Sequence, residues 1–294
     1  MFQRCLICTD LTDGLQRLVA EVESLAHSGL TEITFLHSVP LWEEGQVPRV
    51  DMEKIEWAKE KLFSPLTYSG DHLKVNIEVI SGNVVDNILK IVQKYTPDFI
   101  ITGTPLRSSL QERIFGSTTM DLSKKVKIPV MILRPQLISV YTTEEIKLRC
   151  SKLNNYWLIP CYDVDNARYL LEQIKLYATE KPSKVKHKYL ILAVIDDVSR
   201  SELIVKNSVK DAQQKLAEVK KDLESFGLEV EVLVTTGNPL QETLNTALIY
   251  DIQAIAIADD QDSLLDWTVK SFTQEVLHRS WFPVVFFPFK KSEK

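Results

Sequence analysis

The stretch ISGNVVDNIL at residues 80–89 has a counterpart in TTGNPLQETL at residues 235–244. In both, a Gly-Asn pair follows an apolar run and precedes apolar residues at helical spacing. Two more segment pairs match in the same order: CLIC at 5–8 with WLIP at 157–160, and IPVMIL at 128–133 with FPVVFF at 282–287. The three pairs lie 155, 152 and 154 residues apart, so the chain contains two tandem copies of one unit.

Each copy alternates short apolar runs with longer segments of helical periodicity, the pattern of right-handed βαβ crossovers. Strands are predicted near 3–9, 31–39, 73–80, 98–102 and 129–134, and again near 155–160, 188–195, 228–234, 252–258 and 283–288. The sequence therefore predicts an α/β fold of two tandem doubly wound, Rossmann-like domains, each with a five-stranded, mostly parallel sheet. We expect domains at 1–137 and 152–294, joined by a linker at 138–151.

Composition narrows the functional classes. The 294 residues are 45% hydrophobic with a formal net charge of −5, which disfavours disorder and general nucleic-acid binding. No apolar run reaches the roughly 18 residues of a spanning helix, and no export signal is visible, so we expect no membrane association and a cytoplasmic location. Cys5 and Cys8 form a C-x-x-C within a strand, where they point to opposite faces and are expected to be structural.

Ligands of open α/β sheets bind beyond the carboxyl ends of the strands, where the strand order reverses. The residues there in the first copy are Thr9-Asp10, His37-Ser38-Val39, the loop 103–109 and, at the start of a helix, Gly116-Ser117-Thr118. Glycine beside hydroxyl residues at a helix N-terminus forms an anion site, because the backbone is accessible and the helix dipole favours negative charge. The alternative is that Ser117 or Thr118 simply caps this helix.

The spacing Gly103-x-x-Leu106, nine residues, then Gly116-Ser117, followed by a helix and an Ile-Pro-Val strand, resembles the universal stress protein (UspA) family. The resemblance extends over both copies and implies a tandem member with the adenine-nucleotide alpha-hydrolase type of fold. It implies an adenine nucleotide, ATP with Mg²⁺ or AMP, bound by the first copy. Asp10 and Val39 match the adenosine positions of the family, and the phosphate-loop positions are matched by Gly103, Gly116, Ser117 and Thr118.

Both copies depart from the family pattern. Leu106 replaces a glycine of the phosphate loop, and Cys8 stands where the family often has proline. In the second copy the last glycine is Gly237, Lys270-Ser271 replaces Gly116-Ser117, and the stretch 259–262 has three acids, Asp259, Asp260 and Asp262. These acids would repel a polyphosphate; they could bind a metal ion, although such a loop is more often solvated. We therefore expect no nucleotide in the second copy.

Three functions remain in competition. The first is a stress-response regulator whose first copy binds an adenine nucleotide and whose second copy is structural. The second is an interaction or dimerisation module without nucleotide, in which the two copies pair through their last strands, 130–133 and 284–287, or two chains form a homodimer. The third is an enzyme, the weakest of the three, because the sequence has no catalytic motif or histidine ligand spacing. At most, slow ATP hydrolysis is expected, and no catalytic or metal-binding residue is assigned.

Overall fold

The structure is a computed structural model. It describes residues 2–12, 14–41, 49–64, 66, 72–104, 121–122, 125–161, 164–180, 185–196, 202–260 and 271–289. The chain divides into two compact units, of which one extends from Phe2 to Lys152 and the other from Leu153 to Lys294. Within the described ranges, no helix is both long and apolar enough to cross a membrane.

The first unit alternates strands and helices as the periodicity predicts. Its strands are β1 (Arg4–Cys8), β2 (Glu32–Val39), β3 (Lys74–Ser81), β4 (Phe99–Gly103) and β5 (Val130–Leu133). Its helices are a 3₁₀ helix (Leu15–Glu21) that continues into α1 (Val22–His27), then α2 (Met52–Phe63), α3 (Val84–Tyr95), α4 (Pro135–Val140) and α5 (Thr143–Ser151). Each strand begins and ends within two residues of its predicted bounds.

The second unit repeats this order. Its strands are β6 (Tyr156–Pro160), β7 (Lys188–Ile195), β8 (Glu229–Thr236), β9 (Ala254–Asp260) and β10 (Val284–Phe289). Its helices are α6 (Val164–Glu180), α7 (Glu202–Glu224), α8 (Pro239–Ile249) and α9 (Phe272–Arg279). The longest of these helices is α7, with 23 residues.

Both units have the same sheet topology. The strand order is β3-β2-β1-β4-β5 in the first unit and β8-β7-β6-β9-β10 in the second. Every strand pair within each unit is parallel. The predicted α/β fold with a mostly parallel sheet is confirmed. In the first unit the strand order reverses between β1 and β4, and a cleft at their carboxyl ends is the usual ligand site of such sheets.

The repeated Gly-Asn pair forms the same turn in both units. Gly82 and Gly237 have φ angles of 120° and 131°, a region in which a side chain would be strained. The asparagine that follows is the N-cap of the next helix. The side chain of Asn83 accepts hydrogen bonds from two backbone N–H groups of α3, and that of Asn238 accepts one in α8. The glycine supplies the turn and the asparagine begins the helix, which explains why the pair recurs.

Aromatic and aliphatic side chains of each unit pack together in a core around its sheet. In the first unit Phe2 packs on Phe99 with ring centroids 5.1 Å apart, and in the second Trp157 contacts Tyr189 at 6.3 Å. All four of these rings are almost fully buried. Burial of such side chains is the main source of stability in both units.

The segment 138–151, expected to join the domains, lies in the first unit and is largely helical. It comprises the end of α4 and all of α5, which Thr142 begins with a capping box to Glu145. The guanidinium of Arg17 donates hydrogen bonds to the carbonyls of Ile138, Ser139 and Tyr141, so this segment is attached to the unit.

Candidate functional site

A cavity of about 180 Å³ lies at the carboxyl ends of β1, β2 and β4. Its lining residues are Cys8, Thr9, Asp10, Leu36, Ser38, Val84, Ile88, Thr102 and Gly103. The cavity occupies the point at which the strand order reverses, and the first turns of α3 form one wall. A ligand site was expected at this position from topology alone.

The floor of the cavity is a row of side chains across three neighbouring strands. Cys8 pairs with Leu36 of β2, and Ile7 pairs with Ile101 of β4, so Cys8 lies beside Thr102. Paired residues of neighbouring strands project from the same face of a sheet, and Leu36, Cys8 and Thr102 therefore form one row. The row places a thiol between an aliphatic side chain and a hydroxyl.

Ser38 lies two residues beyond Leu36 on the same face of β2. Asn87 of α3 is only 1% exposed, and its Nδ2 donates to the Oγ of Ser38 and to the carbonyl of Ile80, both at 3.3 Å. These bonds fix the rotamer of Asn87 and attach α3 to β2 beside the cavity. Because Asn87 donates to the Ser38 oxygen, the Ser38 hydroxyl proton is directed elsewhere.

The loop after β1 presents Asp10 at the edge of the cavity. Both the backbone N–H and the hydroxyl of Thr12 donate to Oδ1 of Asp10, at 2.8 and 3.0 Å. Asp10 is exposed, so its second carboxylate oxygen can accept a hydrogen bond from a ligand. The next residue, Leu11, has a φ of 66°, a conformation that costs a residue other than glycine roughly 1–2 kcal/mol.

A histidine stabilises the other side of this loop. The Nδ1 of His37 donates to the carbonyl of Thr9 at 2.9 Å, because that carbonyl can only accept. The backbone N–H of Thr9 donates in turn to the carbonyl of Leu36. His37 thus has a structural contact next to the cavity.

A buried positive charge lies close to the end of β4. Arg134, which follows β5, is 6% exposed, and its Nη1 donates to the hydroxyl of Thr104, the residue after Gly103. Burial lowers the pKa of Arg134, although a guanidinium remains charged at neutral pH. The bond joins the residue after β5 to the residue after β4.

The predicted site residues separate into three groups. Asp10 and Gly103 line the cavity together. Val39 does not line it: its side chain is buried, and the neighbouring Ser38 occupies the lining position because successive side chains of a strand alternate between faces. Gly116, Ser117 and Thr118, together with Leu106, lie outside the described residues.

Sequence reasoning missed Cys8 and Thr102 as binding candidates, and it named Ser38 only as part of the segment His37-Ser38-Val39. Alternation along the strands contained the signal that was needed. Leu36 and Ser38 share a face, and that face continues through Cys8 to Thr102 once the register is known. The register depends on strand pairing, which a single sequence does not specify.

The corresponding positions of the second unit have other contacts. Ser271, which stands where the first copy has Ser117, is the N-cap of α9 and forms a capping box with Gln274. Its side-chain oxygen accepts from the Gln274 N–H at 3.1 Å. Among the residues that the structure describes, no group of three acids, histidines or cysteines could hold a metal ion. Asp260 has only its backbone described, and residues 261–262 are not described.

The second unit also has a groove between α6 and α7. Charged side chains form its rim, where Lys175 pairs with Asp222 and, at 2.8 Å, with Glu172. Its floor includes Ala193, which occupies the register position of His37 in the first unit.

The first copy is similar to known proteins. Residues 1–134 match the model of the universal stress protein family. A curated relative, stress response protein NhaX of Bacillus subtilis strain 168, is 32% identical over 59 residues, which are 20% of this chain. The match spans 36% of the length of that relative.

Solved structures match the whole chain. A universal stress protein from Archaeoglobus fulgidus DSM 4304 has a TM-score of 0.64 at 18% identity, with 97% of this chain and 98% of that chain covered. A protein of unknown function from Pseudomonas aeruginosa PAO1 has a TM-score of 0.57 at 12% identity, with 97% and 92% covered. At these identities the likeness shows the fold, which is shared over both copies.

Proposed function

We propose that this chain is a universal stress protein, a stress-response regulatory protein whose first domain binds an adenine nucleotide, because residues 1–134 match the model of that family. The observation that carries the proposal is the cavity at the strand-order reversal, with Asp10 at its edge and Gly103 in its lining. The similarity to a stress response protein of Bacillus subtilis supports the biological role.

The chemistry of the cavity fits the parts of a nucleotide. The exposed carboxylate of Asp10 can accept hydrogen bonds from ribose hydroxyls, and the apolar side chains of Leu36, Val84 and Ile88 can contact the faces of a base. With ATP, Mg²⁺ would be held mainly by the phosphates, as it usually is.

Calorimetric titration of the purified full chain with ATP and with AMP tests the proposal. We expect one site per chain for at least one of the two nucleotides. Val84 is 39% exposed at the cavity, and a Val84→Trp substitution should fill the space and abolish binding. Val140→Trp is the matched control, since Val140 is 75% exposed and lies outside the cavity lining. Absence of binding by the unaltered chain, or equal binding by Val84→Trp, refutes the proposal.

The second candidate is an interaction module in which the last strands pair. β5 is last in the strand order of its own sheet and consists of four apolar residues, Val-Met-Ile-Leu. An apolar edge strand favours association with another strand. Residues 1–152, the whole first unit, should therefore associate through β5 when they are expressed alone. A fragment that stays monomeric at high concentration in light scattering contradicts this candidate.

A further inference from the structure

The groove between α6 and α7 of the second unit is larger than the cavity of the first unit. Its volume is about 720 Å³, within the roughly 300–1,000 Å³ of sites that bind small molecules. Its lining extends along α7 from Ser208 to Leu223, a length of about 22 Å at 1.5 Å per residue. Protein interiors are close-packed and leave few voids larger than a water molecule, so an elongated space of this size beside the core needs an explanation.

The deep part of the groove is apolar. Leu171 of α6 and Leu216 and Leu223 of α7 line it, and all three side chains are buried. Ala193 of β7 and Cys161, the residue after β6, line it from the strands. Burial raises the pKa of the Cys161 thiol to about 12, so this thiol carries no charge at neutral pH. A ligand in the groove therefore contacts hydrocarbon and an uncharged thiol.

Alanine occupies a lining position on each of the three elements that form the groove. Ala167 lies on α6, Ala193 on β7 and Ala212 on α7. Cores fill the space between elements by placing large side chains opposite small ones. Here small side chains face the groove from both helices and from the sheet, and the space between them stays open.

An ion pair bridges the two helices within the groove. The Nζ of Lys175 on α6 donates to a carboxylate oxygen of Asp222 on α7 and, at 2.8 Å, to Oε1 of Glu172. The Lys175 side chain is only 15% exposed, and its ammonium also lies 5.7 Å from the centroid of the Phe226 ring. A bound helix is about 10 Å wide and would have to break this bridge to lie between α6 and α7. A small molecule can lie beside the bridge and leave it intact.

The charged rim does not favour an anion. Three cations and four acids line the groove, so their formal charges sum to −1 at neutral pH. A phosphate or carboxylate group therefore gains no net attraction from the rim. The groove suits an uncharged ligand, unlike the cavity of the first unit with its proposed nucleotide.

We propose that the groove between α6 and α7 binds a small, uncharged molecule with an elongated apolar body. The apolar body lies against Leu171, Leu216 and Leu223, and removal of this surface from water supplies the binding free energy. The site belongs to the second domain and does not depend on nucleotide binding by the first. The second copy then has a binding role of its own.

Nile red, an uncharged dye whose fluorescence rises in apolar surroundings, is the probe for titration of the purified full chain. Ala212→Trp places a large ring in the groove wall and should weaken dye binding by roughly tenfold or more. Ala217→Trp is the matched control, because Ala217 is an exposed residue of the same helix outside the groove lining. This control should keep the affinity to within about twofold.

A second pair of variants repeats the comparison without the bulk of tryptophan. Ala212→Gln introduces an amide that loses water when the dye binds, so it should also weaken binding, whereas Ala217→Gln should not. Circular dichroism verifies that all four variants are folded. Equal dye affinity in the Ala212 and Ala217 variants, or no binding of Nile red to the unaltered chain, overturns the inference.

Two competitors of equal chain length test the charge of the ligand. Decanol should displace Nile red at a concentration at least roughly threefold lower than decanoate, because the rim does not attract a carboxylate. Equal displacement by the two overturns the assignment of an uncharged ligand. ATP should not displace the dye, and displacement by ATP would place the dye in the first domain and overturn the site. Failure of the nucleotide titration leaves this inference standing, and its own failure leaves the nucleotide proposal standing.

Discussion

Asp98, the residue before β4, should be the most sensitive polar position of the first unit. Its carboxylate is 2% exposed, and Oδ2 accepts from the backbone N–H groups of Gln3 at 2.7 Å and Arg4 at 2.9 Å. The Arg4 guanidinium lies 3.5 Å from Oδ1. Asp98 thus joins the start of β4 to the start of β1, the two strands between which the sheet order reverses.

The magnitude follows from the groups that would lose a partner. Asp98→Ala leaves two partly buried N–H groups unpaired and should lower the free energy of unfolding by about 2–5 kcal/mol. Asp98→Asn retains an oxygen that can accept from both N–H groups but loses the charge, so about 1–2 kcal/mol should be lost. For a unit of this size, each kcal/mol corresponds to about 2–4 °C in Tm.

Urea denaturation of the full chain, followed by circular dichroism, measures these losses, and the transition of the second unit serves as an internal reference. Asp86→Ala is the control, since Asp86 is exposed in the first turn of α3 and should contribute no more than about 1 kcal/mol. Nucleotide affinity should not change, because Asp98 lies about 16 Å from Gly103 along the strand. A loss in Asp98→Ala no larger than in Asp86→Ala refutes the reasoning.

Three further predictions concern single groups. Burial lowers the pKa of His187, whose Nδ1 donates to the Asn154 carbonyl at 2.7 Å, so the unfolded chain binds the proton at a higher pH than the folded chain. The free energy of unfolding should therefore fall as the pH drops below about 6.5. Urea melts at several pH values measure this slope, which His187→Gln should flatten. Burial raises the pKa of the Cys150 and Cys161 thiols to about 12. At pH 8, iodoacetamide should therefore alkylate these two thiols roughly a thousandfold more slowly than an ordinary thiol, as followed by peptide mass spectrometry. Labelling of the folded protein as fast as that of the protein unfolded in guanidinium contradicts this. Asn83→Ala should cost about 1 kcal/mol by removing the cap of α3, while Asn83→Asp should retain it; equal melting of the two variants would be inconsistent with the cap.

Several features of the fold could be predicted from local sequence because their causes are local. The alternation of apolar runs with segments of helical periodicity predicted the ends of all ten strands to within two residues. This was possible because each element buries one face, and the buried residues recur with a fixed period. The Gly-Asn repeat predicted tandem copies, because a positive φ and a helix cap each demand particular residue types. The position of Asp10 and Gly103 in one site followed from the rule that ligands bind where strand order reverses.

The composition of the cavity depended on tertiary structure. Ser38 rather than Val39 faces the cavity because the lining face of β2 is set by pairing with β1 and by packing against α3. The contacts of Asn87 with Ser38, of Arg134 with Thr104 and of Asp98 with Arg4 join residues 30 to 94 positions apart. Periodicity and spacing describe neighbours within one element. They do not specify which strands become adjacent. The sequence alone therefore predicted where in the fold the cavity lies, and only the folded sheet decided which hydrogen-bonding groups line it.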